Sequence, residues 1–343
     1  MNERAISLIE QYDIEVLRTR KGRGAFIFET KQGTVLMKEY AGHPERLALE
    51  QQILQQIQDR GLVQVESLLP TVEGQWYVKD NEGVLYIVKR SFEGRECDVY
   101  DGRECGEAMQ TLAKLHVSME EAGELLCQKQ SLTMPTVSLL KEYEKHNKEL
   151  IRIWGYLKKK GQKQLFERRL LSVMDYFIKQ ARQVTESVRG LESGTESGPQ
   201  NNRPDKEVQI PVVCHGDFQY HNVIRSQERW CILNFEKMAE DYPVRDVYLF
   251  LRKAMEKNNW SAALGKEMLS AYQLIRVLKE QEWKDLYHRF AYPEKFWKIA
   301  NFYYNSGKAW IPEKNLEKLE KVIAQEQQKL TFLQEIFNDS LLQ

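Results

Sequence analysis

His215-Gly216-Asp217-Phe218-Gln219-Tyr220-His221-Asn222, followed downstream by Asn234-Phe235-Glu236, is the stretch that decides how this chain is read. Between the two segments, Val223-Ile224 and Trp230 to Leu233 are short apolar runs separated by a polar turn at Arg225 to Arg229. That is the pattern of a small antiparallel hairpin. Its first strand begins just after Asn222 and its second ends just before Asn234. The two ends of a hairpin lie side by side, so Asn222 and Asn234-Phe235-Glu236 are expected to face one small space beside Asp217. Two amides and a carboxylate converging there suit a hard, oxygen-seeking ion such as Mg²⁺.

Working outward, the N-terminal part alternates strand and turn signals. Ile14 to Arg20, Ala25 to Thr30 and Thr34 to Tyr40 read as strands, joined by Lys21-Gly22-Arg23-Gly24 and by Lys31-Gln32-Gly33. Pro44 opens a helix whose Leu47, Ile53, Leu54 and Ile57 recur at helical spacing, and Gly61 stops it. Gln75 to Asp80 and Val84 to Arg90 form a hairpin around Asn81-Glu82-Gly83, which gives the order β-β-β-α-β-β and a five-stranded sheet. Strand alternation puts Lys38 on the face of Leu36 and Tyr40. A lysine on such an apolar face needs an anionic partner. Nucleotide phosphates and a helix glutamate are what a kinase provides. Glu50 on the following helix is the candidate glutamate, and Glu45 is its competitor.

From about Glu107 the pattern turns helical, with Met109, Leu112, Ala113 and His116 on one side, and it stays helical to about Val184. Ser193 to Lys206 is rich in Gly, Ser, Asn and Pro and is expected to be a mobile loop. Strands follow at Val208 to Cys214 and in the hairpin, and helices resume from Val247, with Asp246 as a candidate cap ahead of them. Phe296, Trp297, Phe302, Tyr303 and Tyr304 recur at helical spacings and read as core. With 50 Lys+Arg against 50 Asp+Glu, the chain has no net charge to draw it to nucleic acid or to an anionic membrane. No apolar run approaches a membrane span, and no basic-then-apolar leader opens the chain. The cysteines at 97, 105, 127, 214 and 231 form no CxxC pair, so neither a disulfide framework nor a zinc site is expected.

The Asp217-x-x-x-x-Asn222 spacing is that of a kinase catalytic loop, in which the aspartate lies near the acceptor hydroxyl and the asparagine ligates metal. His215-Gly216-Asp217 with Asn222, the helix ending Leu112-Ala113-Lys114-Leu115-His116, and Asp246 together resemble the aminoglycoside phosphotransferase and choline kinase superfamily. The runs Leu251 to Lys257, Tyr292 to Lys298 and Asn301 to Trp310 resemble the CotS-type spore coat proteins within it. The resemblance covers nearly the whole chain. It implies an α+β, protein-kinase-like fold of two lobes: residues 1–91, β-rich with one main helix, and residues 92–343, mainly helical. It also implies a site in which Asp217 is catalytic, Lys38, Glu50, Gly22 and Gly24 hold ATP, Asn222, Asn234 and Glu236 hold Mg²⁺, and His215 and Asp246 brace the loop. The implied partners are a nucleotide and other spore coat proteins, after synthesis in the cytoplasm. The superfamily has an aspartate where this chain has Asn234, and its glycine turn is reduced here to Gly22 and Gly24. Two functions follow: phosphoryl transfer to a hydroxyl, or a pseudokinase that acts as a structural component of the coat.

Overall fold

Three strands, β1 (Val16–Gly22), β2 (Ala25–Thr30) and β3 (Gly33–Glu39), form an antiparallel meander at the start of the computed structural model. The structure describes residues 7–22, 24–127, 138–193, 212–227, 229–305 and 312–341. After β3, a one-turn helix at Pro44–Arg46 leads into α1 (Leu47–Arg60), which ends on Gly61 in the left-handed conformation, at φ 67°. Four strands follow: the short β4 (Gln64–Val65), β5 (Ser67–Leu68) and β6 (Val78–Lys79), and the longer β7 (Leu85–Arg90). The first sheet runs β1-β2-β3-β7-β5, with β6 also paired to β7. It therefore has six strands rather than five. The sixth is β5, too short to show any alternation in sequence, yet its Ser67 and Leu68 lie opposite Arg90 and Lys89.

Both faces of this sheet are apolar. On one, Phe28, Val35, Met37 and Val88 pack with Leu8, Ile9 and Tyr12. On the other, Tyr40 and Ile87 pack with Leu47 and Leu68. Lys38 lies on the second face by alternation, as does Lys89. The register sets Lys38 opposite Ile87 and Leu36 opposite Lys89, so the two lysines are diagonal neighbours.

Next come β8 (Arg95–Glu96) and α2 (Gly102–Cys127), whose Met109, Leu112, Ala113 and His116 are all buried. Helices α3 (Leu139–Lys159) and α4 (Leu165–Ser193) follow. Then β9 (Val212–Cys214), β10 (Val223–Ser226), β11 (Arg229–Ile232) and β12 (Ala239–Asp241) lead into α5 (Val244–Lys257) and α6 (Ala262–Gln273). Helices α7 (Glu280–Ala291), α8 (Glu294–Asn305) and α9 (Pro312–Leu341) complete the chain. The fold is thus mixed α+β, strand-rich in its N-terminal part and mostly helical in its C-terminal part.

The chain packs as two compact units. The first comprises Met1–Pro135, Pro211–Lys253 and Glu267–Val277. It joins the N-terminal sheet to the hairpin β10–β11 through a second sheet of order β4-β11-β10-β8. The second unit comprises Thr136–Ile210, Ala254–Lys266 and Leu278–Gln343. Within it Phe296 is fully buried against Phe177, Tyr143 stacks on Tyr292 at 3.8 Å, and Tyr303 donates to the buried Glu167 at 2.7 Å. Of the sequence expectations, the loop at 194–206, strand residues 208–211, Arg23 and the end of the aromatic run at 306–310 lie outside the described residues.

Candidate functional site

Every candidate residue lies in the first unit. The hairpin β10–β11 pairs Val223 with Ile232, and Leu233 N–H continues it to the Asn222 carbonyl at 2.9 Å. The ends of the hairpin are therefore adjacent, and Asn234 Nδ2 donates to Asn222 Oδ1 at 2.7 Å. Asn222 in turn donates from Nδ2 to the Asp217 carbonyl at 2.8 Å, which closes the loop on itself. Asn234 has left-handed backbone, φ 66° and ψ 62°, a region that asparagine enters more readily than most residues.

The loop carrying Asp217 is fixed from beneath. Asp246, fully buried, accepts from the backbone N–H of His215 (2.8 Å) and Gly216 (2.9 Å), and it faces His116 Nε2 at 3.3 Å. His116 Nδ1 meets the Tyr272 hydroxyl at 2.7 Å. Asp246 does not precede its helix as a cap. Helix α5 starts at Val244, behind Pro243, which places Asp246 in the first turn with its carboxylate turned to the loop. His215 is buried too, with Nε2 on the Leu233 carbonyl at 3.0 Å and Nδ1 accepting from Asp217 N–H at 3.1 Å. Gly216 has φ +77°, and a Cβ there would run into the Lys237 carbonyl oxygen. Only glycine fits. The Asp217 carboxylate accepts from Gln219 Nε2 (2.6 Å) and from the exposed Lys237 (2.9 Å).

Lys38 reaches this centre from β3. Its Nζ lies 2.9 Å from Asn234 Oδ1 and 3.0 Å from Glu236 Oε1, and a quarter of its side chain is still exposed. Ala25, just after the Gly22–Gly24 turn, stands opposite Lys38, so that turn lies at the same end of the sheet. Glu50 does not meet Lys38. It is buried on α1, where Tyr40 donates to it at 3.2 Å and Arg46 stands 3.8 Å away.

Two residues that belong to no sequence motif complete the centre. Lys89, almost wholly buried, binds Glu66 at 2.6 Å and also the carboxylate of Glu236. Glu66, equally buried, accepts from the backbone N–H of Asn234 at 2.8 Å and of Phe235 at 3.1 Å. The sequence did carry a signal for Lys89: like Lys38, it interrupts the apolar face of a strand, beside Ile87 and Leu85. Glu66 gave none beyond its apolar neighbours. Burial alone would raise the Glu236 carboxyl, but Lys89 and Lys38 beside it hold it at about 2. Burial alone would lower Lys89, and the two carboxylates push it up instead. Glu236 and Lys89 are therefore both ionised near neutral pH.

A Mg²⁺ ion leans on one or two carboxylates with lone pairs to give. Asn234 brings no charge, its oxygen is taken by Lys38, and Glu236 is engaged by two lysines. Among the described residues no group of three or more His, Cys, Asp or Glu side chains is placed to hold a metal. The residues present do not fit the ion.

Glu50 gives a testable consequence. Burial, opposed by Arg46 and Lys89, raises its carboxyl to about 7. An acid whose folded value exceeds its unfolded one binds more protons when native, so stability falls as pH rises from about 4.5 toward 7. Glu50→Gln is expected to gain about 3 kcal/mol at pH 8 and little at pH 4. Urea unfolding at both pH values measures this; equal effects at both would show that Glu50 ionises normally.

Residues 5–336 match the family described as Spore coat putative kinase YutH. Spore coat protein S of Bacillus subtilis (strain 168) is 23% identical over 327 residues, covering 92% of this chain and 88% of that protein. An aminoglycoside phosphotransferase from Alicyclobacillus acidocaldarius has a similar structure, with a TM-score of 0.77 at 17% identity over 98% of this chain and 96% of its own. A microcompartment-associated aminopropanol kinase gives 0.59 at 12% identity, covering 99% and 98%.

Proposed function

Because this chain belongs to the spore coat putative kinase YutH family, we propose that it is a nucleotide-binding, kinase-like protein of the coat that holds ATP phosphates on Lys38. The observation that carries this is the position of Lys38. It is a charged amine on an otherwise apolar strand face, partly open to solvent, beside the loop of Asp217 and Asn222. Two facts about relatives support it. A spectinomycin phosphotransferase of the same fold has been crystallised with AMP, and an amicoumacin kinase with AMP-PNP and Ca²⁺. The lobes of the resemblance, residues 1–91 and 92–343, are part of the same proposal, as is assembly with other coat proteins.

Turnover is a second reading, favoured by how firmly the Asp217 loop is built. Asp246, His215 and Gly216 hold it in a form no random loop needs. In that reading Asp217 accepts the proton of an acceptor hydroxyl or orients it. The missing carboxylate at 234 and the engagement of Glu236 weigh instead toward a pseudokinase with little turnover. Isothermal titration with ATP tests the first reading. Wild type is expected to bind, and Lys38→Met to lose at least about tenfold in affinity, since a charge-assisted contact to phosphate disappears. Absence of binding in the wild type overturns it. Any ATP hydrolysis that survives Asp217→Ala is not catalysed through this loop.

A further inference from the structure

Lys38, Lys89, Glu66 and Glu236 form one continuous ionic chain. Glu66 holds Lys89, Lys89 and Lys38 share Glu236, and Lys38 ends on Asn234. Two ammonium groups and two carboxylates sum to zero charge. Glu66 also carries the N–H groups of Asn234 and Phe235, so the chain fixes the backbone of the turn that follows the hairpin. A divalent ion bound between carboxylates would do the same work: neutralise them and pin the turn. Here an amine tethered to β7 does it, with its head buried where no bulk ion needs to enter.

We propose that the Lys89 ammonium is a resident cation that stands in for the divalent metal, so that nucleotide binds without Mg²⁺. The charge count argues for this. A site already neutral offers a metal ion no electrostatic gain that water does not, and buried charges are tolerated only when paired. The geometry argues for it as well. Lys89 is the diagonal neighbour of Lys38, so Glu236 lies within reach of both. The phosphates are left to Lys38, whose side chain keeps an exposed portion. Lys89 is a positioning residue: it acts through Glu236 and Glu66 and does not itself meet the phosphates.

The nucleotide half of this proposal rests on the reading of the site as a nucleotide site; the metal half does not. Mn²⁺ titration followed by electron paramagnetic resonance, without nucleotide, tests the metal half. Wild type is expected to leave Mn²⁺ free. Lys89→Met, which releases Glu66 and Glu236, is expected to bind about one ion, at least about tenfold more tightly than wild type. Because Lys89→Met leaves the buried Glu66 without a cation and Glu236 with Lys38 alone, Lys89→Met/Glu66→Gln, which removes one charge of each sign, serves as the folding control and is expected to leave Mn²⁺ free. Binding of Mn²⁺ by wild type as tight as by Lys89→Met overturns the proposal, and so does wild-type Mn²⁺ binding should the single variant fail to fold. For the nucleotide half, wild-type ATP affinity is expected to change less than about threefold between excess Mg²⁺ and chelator. A loss of about tenfold in chelator overturns the metal-independent claim while leaving the nucleotide site standing. No ATP binding in either condition overturns the nucleotide reading and this half with it, and the Mn²⁺ titration then decides the role of Lys89 by itself.

Discussion

Replacing Asp246 by alanine is expected to lower stability by about 3–5 kcal/mol, the range seen when a buried charge leaves its partners unpaired. Two backbone N–H groups, of His215 and Gly216, would lose their acceptor, and His116 would lose its ring partner, all in a place with no exposure to water. Urea denaturation at pH 7, with the folded baseline checked by circular dichroism, reads the loss directly. A change under about 1 kcal/mol would mean that the loop is held by other contacts. The pH dependence gives an independent check. Burial alone would raise the Asp246 carboxyl, but the hydrogen bond with His116 and the positive charge of Arg245 hold it below its ordinary value of 3.8. A depressed acid contributes stability above its unfolded value and loses it as pH falls through the folded one. Asp246→Asn should therefore flatten the stability curve below about pH 4.

The second large effect is expected from Asn234→Asp. In the native protein the amide nitrogen of Asn234 donates to Asn222 Oδ1, while its oxygen accepts from Lys38. A carboxylate keeps the second contact and loses the first. Asn222 cannot simply turn over, because its own Nδ2 is given to the Asp217 carbonyl. Two oxygens would then face each other, a repulsive arrangement that a cation placed between them relieves. Without metal, the variant should be less stable and bind ATP more weakly. With Mg²⁺, an added anion beside the ion is worth on the order of a few kcal/mol after screening, or roughly a hundredfold in affinity. Titration of both proteins with ATP, in Mg²⁺ and in chelator, separates these signs. A variant whose affinity ignores Mg²⁺ would show that position 234 lies outside any metal site.

What the sequence disclosed followed from distance along the chain. The hairpin at 223–232 is local, and its turn and apolar runs lie within one short window, so the meeting of Asn222 with Asn234 follows from the local pattern alone. The same holds for the meander, where Gly24 and Gly33 mark both turns. Lys38 was legible from strand alternation, but its partner was not. A glutamate on the next helix is close at hand in sequence, whereas Glu236 arrives from the far side of the chain. Burial and the hydroxyl of Tyr40 settle Glu50 elsewhere. Glu66 and Lys89 carry no motif because what makes them important is each other, Glu236 and two backbone N–H groups near residue 235. No periodicity encodes a buried ion pair whose members depend on segments so far apart.

The second sheet has a consequence for the order of folding. Its four strands come from residues 64–65, 95–96, 223–226 and 229–232, and β4 runs parallel to β11. Closing contacts across such spans is slow, because the loop entropy must be met before the pairing rewards it. On a ribosome the meander and α1 emerge early, with Glu66 and Lys89 already able to find each other. The turn they are built to hold is synthesised far later. Until residues 229–235 leave the exit tunnel, β4 lacks β11, and Glu66, though it has Lys89, lacks the two N–H groups it is to hold. The nascent first unit is then a half-finished surface, with a strand edge open to whatever pairs with it first.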